Sequence, residues 1–198
     1  MDTKSNNRGL SLALIPLGIA INIGIGSLVY ALKLPIYLDA IGTILLTLLL
    51  GWRAGVITGV LGFALTSLLI NPLAIYFICT QAVIAVYVHL LAKRGAFSNV
   101  YKTIFTGVGM GVIAAIFSAP VIVYLFGGLT GNGTSLIVAY MLASGKTIIN
   151  SVLLSGFSIE PIDKTIQCLL ALFLLKSVPK SILNKFQSGS LKENKFIS

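Results

Sequence analysis

Two long stretches of this chain, residues 54–92 and 103–145, contain no Asp, Glu, Lys or Arg. A helix crosses the hydrocarbon core of a bilayer with roughly 20 apolar residues, so each stretch holds more than one crossing. A soluble domain needs charge at roughly a quarter of its positions to wet its surface. Here 10% of residues are charged and 57% are hydrophobic. The surface must face something apolar, and one membrane domain is expected over 1–198.

The net charge of +9 does not point to nucleic acid, because the cations are grouped at the ends of apolar spans. Lys4 and Arg8 open the chain, and Lys93, Arg94 and Lys102 surround one short loop. Lys176, Lys180, Lys185, Lys192 and Lys195 mark the end. The positive-inside rule produces this pattern. Cys79 and Cys168 both lie in apolar stretches, so no disulfide framework or zinc site is indicated. The first apolar run lacks a small-residue cleavage site and reads as a retained helix.

Turn signals divide the chain into spans of about 9–31, 39–50, 54–70, 73–92, 102–126 and 161–177. The breaks are Lys33-Leu34-Pro35, the Gly51–Gly55 turn, Asn71-Pro72, the polar loop 93–101 and the glycine-rich loop 127–133. Residues 134–157 decide the topology. If this polar segment spans, the termini lie on opposite sides, yet the N-terminus, Arg53, the 93–102 loop and the tail are all basic. An even number of crossings brings them together. The expected fold class is therefore all-α: an integral membrane bundle of six transmembrane helices. Residues 134–157 form a re-entrant or interfacial helical segment on the outer side, and 180–198 a cytoplasmic tail. Polar backbone at membrane depth is tolerated where protein or a water-filled cavity surrounds it, which makes 134–157 a candidate cavity lining. Both termini are expected to be cytoplasmic.

Small residues recur every fourth position at Gly51, Gly55 and Gly59, and at Gly107, Gly111, Ala115 and Ala119. Such ladders let helices approach closely within a bundle. The first helix carries two shorter sets, Gly18/Asn22/Gly26 and Ala20/Gly24, which suit either internal packing or a partner subunit.

Enzyme chemistry finds little support. Ser144-Gly145-Lys146-Thr147 matches the end of a phosphate-binding loop, but Tyr140 stands where the motif needs its first glycine. His89 is the one histidine, and neither G-x-S-x-G nor H-E-x-x-H occurs. The chemistry that stands out is polar and gathers at the expected outer helix ends. Asp39 opens the second helix, where it suits an N-cap and a substrate contact alike. Asn71, Tyr76 and Gln81 flank the third and fourth helices. Lys146 and Asn150 lie in the polar segment, and Glu160, Asp163 and Lys164 begin the last helix. Ionisable groups at membrane depth are costly and mark function. Asp163 and Lys164 sit about 100° apart on a helix and are expected to point different ways, with partial pairing to Lys146 as the structural alternative. Together these groups suit a small polar solute.

The runs from Leu34 to Thr43 (LPIYLDAIGT) and from Leu48 to Gly59 (LLLGWRAGVITG) carry a family resemblance. They resemble the substrate-binding S components of energy-coupling factor (ECF) transporters, whose leucine-rich stretch ends in a Gly-(Pro/Trp)-x-x-Gly turn. Gly127-Gly128, Gly145-Lys146 and the Glu160–Lys164 segment are similar to a subgroup with the same Tyr-Leu-Asp-x-Ile-Gly-Thr signature, so the likeness covers most of residues 10–180. It implies a multi-pass protein of a prokaryotic cell membrane that captures a water-soluble vitamin or related micronutrient at the extracellular face. It implies delivery through a transmembrane coupling subunit and two cytoplasmic ATPases that use ATP, with no cofactor and no catalysis in this chain. Family pockets map by position to Tyr37, Tyr76, Gln81, Asn132, Lys146, Asn150, Glu160 and Asp163. The family's Ala-x-x-x-Ala docking face maps to Ala20 and Gly24, beside Gly18 and Asn22. No specificity motif for riboflavin, thiamine, biotin or folate is present. The rival expectation is a stand-alone carrier or channel, which often has internal repeats; none is convincing here.

Overall fold

The computed structural model describes residues 3–178, with side chains from residue 13 onward. The expected tail over 180–198 lies outside them. The described residues form seven α-helices and no strand: α1 (Thr3–Ala31), α2 (Ile41–Leu50), α3 (Trp52–Leu69), α4 (Ile78–Lys93), α5 (Val100–Phe126), α6 (Thr134–Ala143) and α7 (Ile148–Ser177). A 3-10 turn, Pro72–Phe77, leads into α4. By length and composition four segments can cross a membrane: Ala13–Ala31, Trp52–Leu69, Pro72–Lys93 and Val100–Phe126. Large apolar side chains on their outer faces, such as Leu28, Leu68 and Phe105, are exposed. Water would not tolerate that much apolar surface, and lipid does.

Short connections make α1 to α5 successively antiparallel, and α7 runs against α5, with Gly107 facing Thr165 and Gly111 facing Pro161. Arg53, Lys93, Arg94, Lys102 and Lys176 consequently gather at one end of the bundle, called the basic end here. The opposite, loop end carries residues 32–40, 70–77 and 127–147. The half of the bundle nearest the basic end is filled by an apolar core that includes Leu46, Leu49, Val88, Phe97, Met110 and Leu172.

Helix α7 departs from expectation. It starts at Ile148, not at 161, and runs through Pro161 without a break. Thr147 supplies the true start, its hydroxyl oxygen accepting from Asn150 N at 3.3 Å. Proline removes one helical hydrogen bond, but α5 packs tightly against this turn and holds both sides in line. The small-residue ladder of α5 makes that contact: a Cβ added at Gly111 would meet Pro161 backbone, and one at Gly107 would meet Thr165 backbone. Residues 134–157 are thus two pieces, α6 and the first third of α7, joined by a turn at Gly145 (φ 82°).

Helix α2 is ten residues long, about 15 Å at 1.5 Å per residue, or half of a roughly 30 Å hydrocarbon core. It starts opposite Gly18, halfway along α1, where a Cβ on Gly42 would meet the Gly18 backbone. The chain reaches that depth as an irregular segment, 33–40, with Lys33 (φ 53°) and Leu38 (φ 50°) in the left-handed region. Such a conformation costs of order 1–3 kcal/mol per residue and persists only where the surroundings fix it.

The surroundings do fix it. Asp39 does not cap α2: the N-cap is Ala40, with no side-chain cap bond. Neighbouring helices supply the missing acceptors instead. Asn22 Oδ1 of α1 accepts from Gly42 N at 2.7 Å, and Gln167 Oε1 of α7 accepts from Ala40 N at 2.8 Å. Asp163 Oδ1 accepts from both Tyr37 N and Leu38 N at 3.0 Å. Asn22→Ala should orphan the Gly42 N–H and cost about 1–3 kcal/mol. A melting curve of the detergent-solubilised protein checks this; an unchanged midpoint would remove Asn22 from the capping role.

Candidate functional site

A cavity of about 130 Å³ opens between α1, α3, α4, α5 and α7, which is room for roughly four waters or one small solute. Ile36, Ile70, Asn71 and Asn132 line it near the loop end, and Gln81, Ile84 and Ala114 line it at mid-bundle. Its floor is the apolar core, to which Ile84 and Ala114 belong.

The polar wall is built from several elements. On one side Asn22 Nδ2 donates to Thr43 Oγ1 at 2.9 Å, and Thr43 Oγ1 donates to Gln81 Oε1 at 3.2 Å. This relay joins α1, α2 and α4, and Gly59 makes room for Gln81 on α3. On the other side Lys164 of α7 projects among three carboxylates. Its Nζ lies 2.7 Å from Asp163 Oδ2, 3.2 Å from Asp39 Oδ1 and 3.6 Å from Glu160 Oε2. Gln167 Nε2 donates to the same Asp163 Oδ2 at 2.7 Å. A charge pair this deep survives only with its remaining hydrogen-bonding capacity met, and the segment 37–40 helps to meet it.

Tyr37 stands between this cluster and the loop end. Its hydroxyl is 3.1 Å from Thr134 Oγ1, and the Lys164 ammonium lies 5.4 Å from its ring centroid. Tyr37 is a hydrogen-bonding wall of the cavity. Behind it a smaller cavity of about 20 Å³ reaches Ser118, Ser155 and Glu160 between α5, α6 and α7. At the mouth Lys33 Nζ donates to Gly131 O at 2.5 Å and lies 4.6 Å above the Tyr30 ring, tying the first loop to the glycine-rich loop.

Of the residues singled out from sequence, Tyr37, Asp39, Asn71, Gln81, Asn132, Glu160 and Lys164 do line the cavity. Asn71 and Asn132 double as local caps, accepting from Leu73 N at 3.1 Å and from Thr134 Oγ1 at 2.7 Å. Asp163 lies behind Lys164, fully buried, with both oxygens engaged. Three residues lie elsewhere. Tyr76 is exposed and packs edge-on against Phe126 at 5.5 Å. Lys146 and Asn150 are exposed around the α6–α7 turn, so Lys146 does not join the ion cluster. The expectation that Asp163 and Lys164 point apart is overturned. A lysine stem is long enough to fold its ammonium back onto the neighbouring carboxylate.

Thr80, Ser118 and Thr130, which the sequence does not single out, line the cavity, and so does Asn22, expected instead on a docking face. For Asn22 the signal was present, an amide inside an apolar span. In α1 the Gly18/Asn22/Gly26 ladder faces inward, with Gly18 and Asn22 buried. Neither is open to a partner, which corrects their expected docking role. Ala20 and Gly24 are exposed, and nothing lies within 4 Å of a Cβ built at Gly24. No family model, curated protein or solved structure matches the chain.

Proposed function

We propose that this chain is a solute-capture subunit, the S component of an ECF-type importer in a prokaryotic cell membrane. In this reading it binds a small water-soluble micronutrient from outside. The observation that carries it is the blind cavity: mostly apolar with polar groups set into its walls, reached from the loop end, and stopped at mid-bundle by a filled apolar core. By the positive-inside rule the basic end is cytoplasmic, so the cavity faces out. Counting α2 with the chain that descends to it as one crossing, and α7 as another, gives six crossings and cytoplasmic termini.

Inward release from a blind site needs work from elsewhere, which a coupling subunit and two ATPases would supply using ATP. This chain would then be no enzyme and would bind no cofactor. The exposed Ala20/Gly24 face of α1 offers a helix of the coupling subunit a close approach. One observation favours the alternative, a stand-alone secondary carrier: an unwound segment and a half-length helix at mid-depth are features that carriers use.

Gentle purification from the native host, followed by native mass spectrometry, separates the two. The capture reading expects a retained small molecule and co-eluting ATPase subunits. Absence of ATPases, together with solute flux through proteoliposomes containing the pure chain, would establish the carrier.

A further inference from the structure

The charge in the cavity does not balance. Among the described residues Lys164 is the one cation on its wall, facing Asp39 and Glu160, with Asp163 directly behind. Three carboxylates against one ammonium leave a formal charge of −2. The nearest further cation at the mouth, Lys33, is exposed to solvent and spent on Gly131 O and the Tyr30 ring.

Lys164 is not placed to receive an anion: its Nζ bonds Asp163 and Asp39 and lies 3.6 Å from Glu160, so an anion beside it would also meet three carboxylates. Glu160 is the group left over. It is 6% exposed, its Oε2 has no hydrogen-bond partner, and it lines both the main cavity and the small one behind Tyr37. The Lys164 ammonium stands 3.6 Å from that oxygen, beyond hydrogen-bond range. A buried carboxylate in that state is an acceptor waiting for a donor, ideally a charged one. An inorganic cation is disfavoured, since no group of His, Cys, Asp or Glu among the described residues is arranged to hold a metal. Lys164 already occupies the point that the three carboxylates share. The rest of the lining is uncharged: apolar and aromatic walls such as Phe63, Phe77, Tyr37 and Ile84, with neutral polar groups such as Gln81, Asn71 and Asn132 set among them.

We infer that the cavity takes a small organic cation: an ammonium or amidinium group on a compact apolar body, its charge seated against Glu160 and Asp39. The inference rests on the cavity being the solute site proposed above, and it adds the chemical class. The aromatic walls would also attract a cation through their π faces.

The test uses the full chain in detergent, titrated with benzylammonium, benzamidinium, benzyl alcohol and phenylacetate. These probes share a ring and differ in charge. The expected result is calorimetric binding of at least one of the two cations, at least tenfold tighter than benzyl alcohol, with phenylacetate weakest. Glu160→Gln should weaken cation binding at least tenfold. Asp39→Asn should act in the same direction and serves as the readout should Glu160→Gln fail to elute as a monodisperse peak. Binding of phenylacetate or benzyl alcohol as tightly as the cations would overturn the inference. So would no cation binding at millimolar concentration, or cation affinity untouched by the substitutions. A neutral or anionic solute recovered from the native host would overturn it and leave the capture reading standing. Selective cation binding by a chain that copurifies with no ATPase would do the reverse.

Discussion

Asp163→Ala should abolish the folded bundle or lower its melting midpoint by about 6–20 °C. The basis is the number of donors that one side chain satisfies. Its Oδ1 accepts from Tyr37 N and Leu38 N, and its Oδ2 accepts from Lys164 Nζ and Gln167 Nε2. Removing one partner of a buried charge pair costs about 3–5 kcal/mol, and each kcal/mol moves the midpoint by about 2–4 °C in a chain of this size. The orphaned N–H groups add to the cost, because no water at that depth replaces the lost acceptor. Asp163→Asn keeps part of the acceptor set and should fall between. Fluorescence-detected size-exclusion after a heating series reads all three proteins. An Asp163→Ala chain that melts within 2 °C of the parent would show that the 33–40 segment is held by something else.

Gly111→Val should be the second most damaging change, and for a purely steric reason. A Cβ at this position would meet the backbone of Pro161 and Glu160, not the tip of a flexible side chain. Overpacking in a well-filled core costs typically about 1–3 kcal/mol when side chains can shift. Here helices α5 and α7 must separate along their whole contact, so the loss belongs at or above the upper end. It should also pull Glu160 off the cavity wall. Gly109→Val is the control: a Cβ there meets only the Tyr87 side chain, its hydroxyl foremost, and should be better tolerated. The same heating series compares the two. Equal melting of both variants would refute the claim that α5 and α7 touch backbone to backbone.

What the sequence disclosed, and what it hid, divides by the range of the forces involved. The charge-free stretches and the four-residue ladders are local periodicities, and a period fixes a face. Gly107 and Gly111 therefore pack where the ladder said. The capping of α2 was not legible, because its acceptors lie 20 residues before it in Asn22 and over 120 residues after it in Asp163 and Gln167. No local spacing announces such partners. Pro161 misled for a related reason: a rule about an isolated helix was outweighed by the neighbour packed against it. Tyr76, Lys146 and Asn150 were grouped with the site by their position near helix ends. Helix rotation and exposure, which need the third dimension, separate them from it. For Glu160, Lys164, Asp39 and Gln81 the cost of polarity at depth was enough to mark them as cavity-lining residues.

The borrowed caps of α2 bear on the order in which the chain can be completed. A ribosome delivers residues 33–50 long before residues 163–167, and for that interval the segment holds polar N–H groups whose acceptors do not yet exist. A ten-residue helix is also a weak membrane-insertion signal by itself. The early product is thus a set of long helices with an unseated elbow between the first and third. Arrival of α7 seats the elbow, closes the ion cluster and completes the cavity wall in one event. A chain released before α7 would carry the long apolar helices without the cavity.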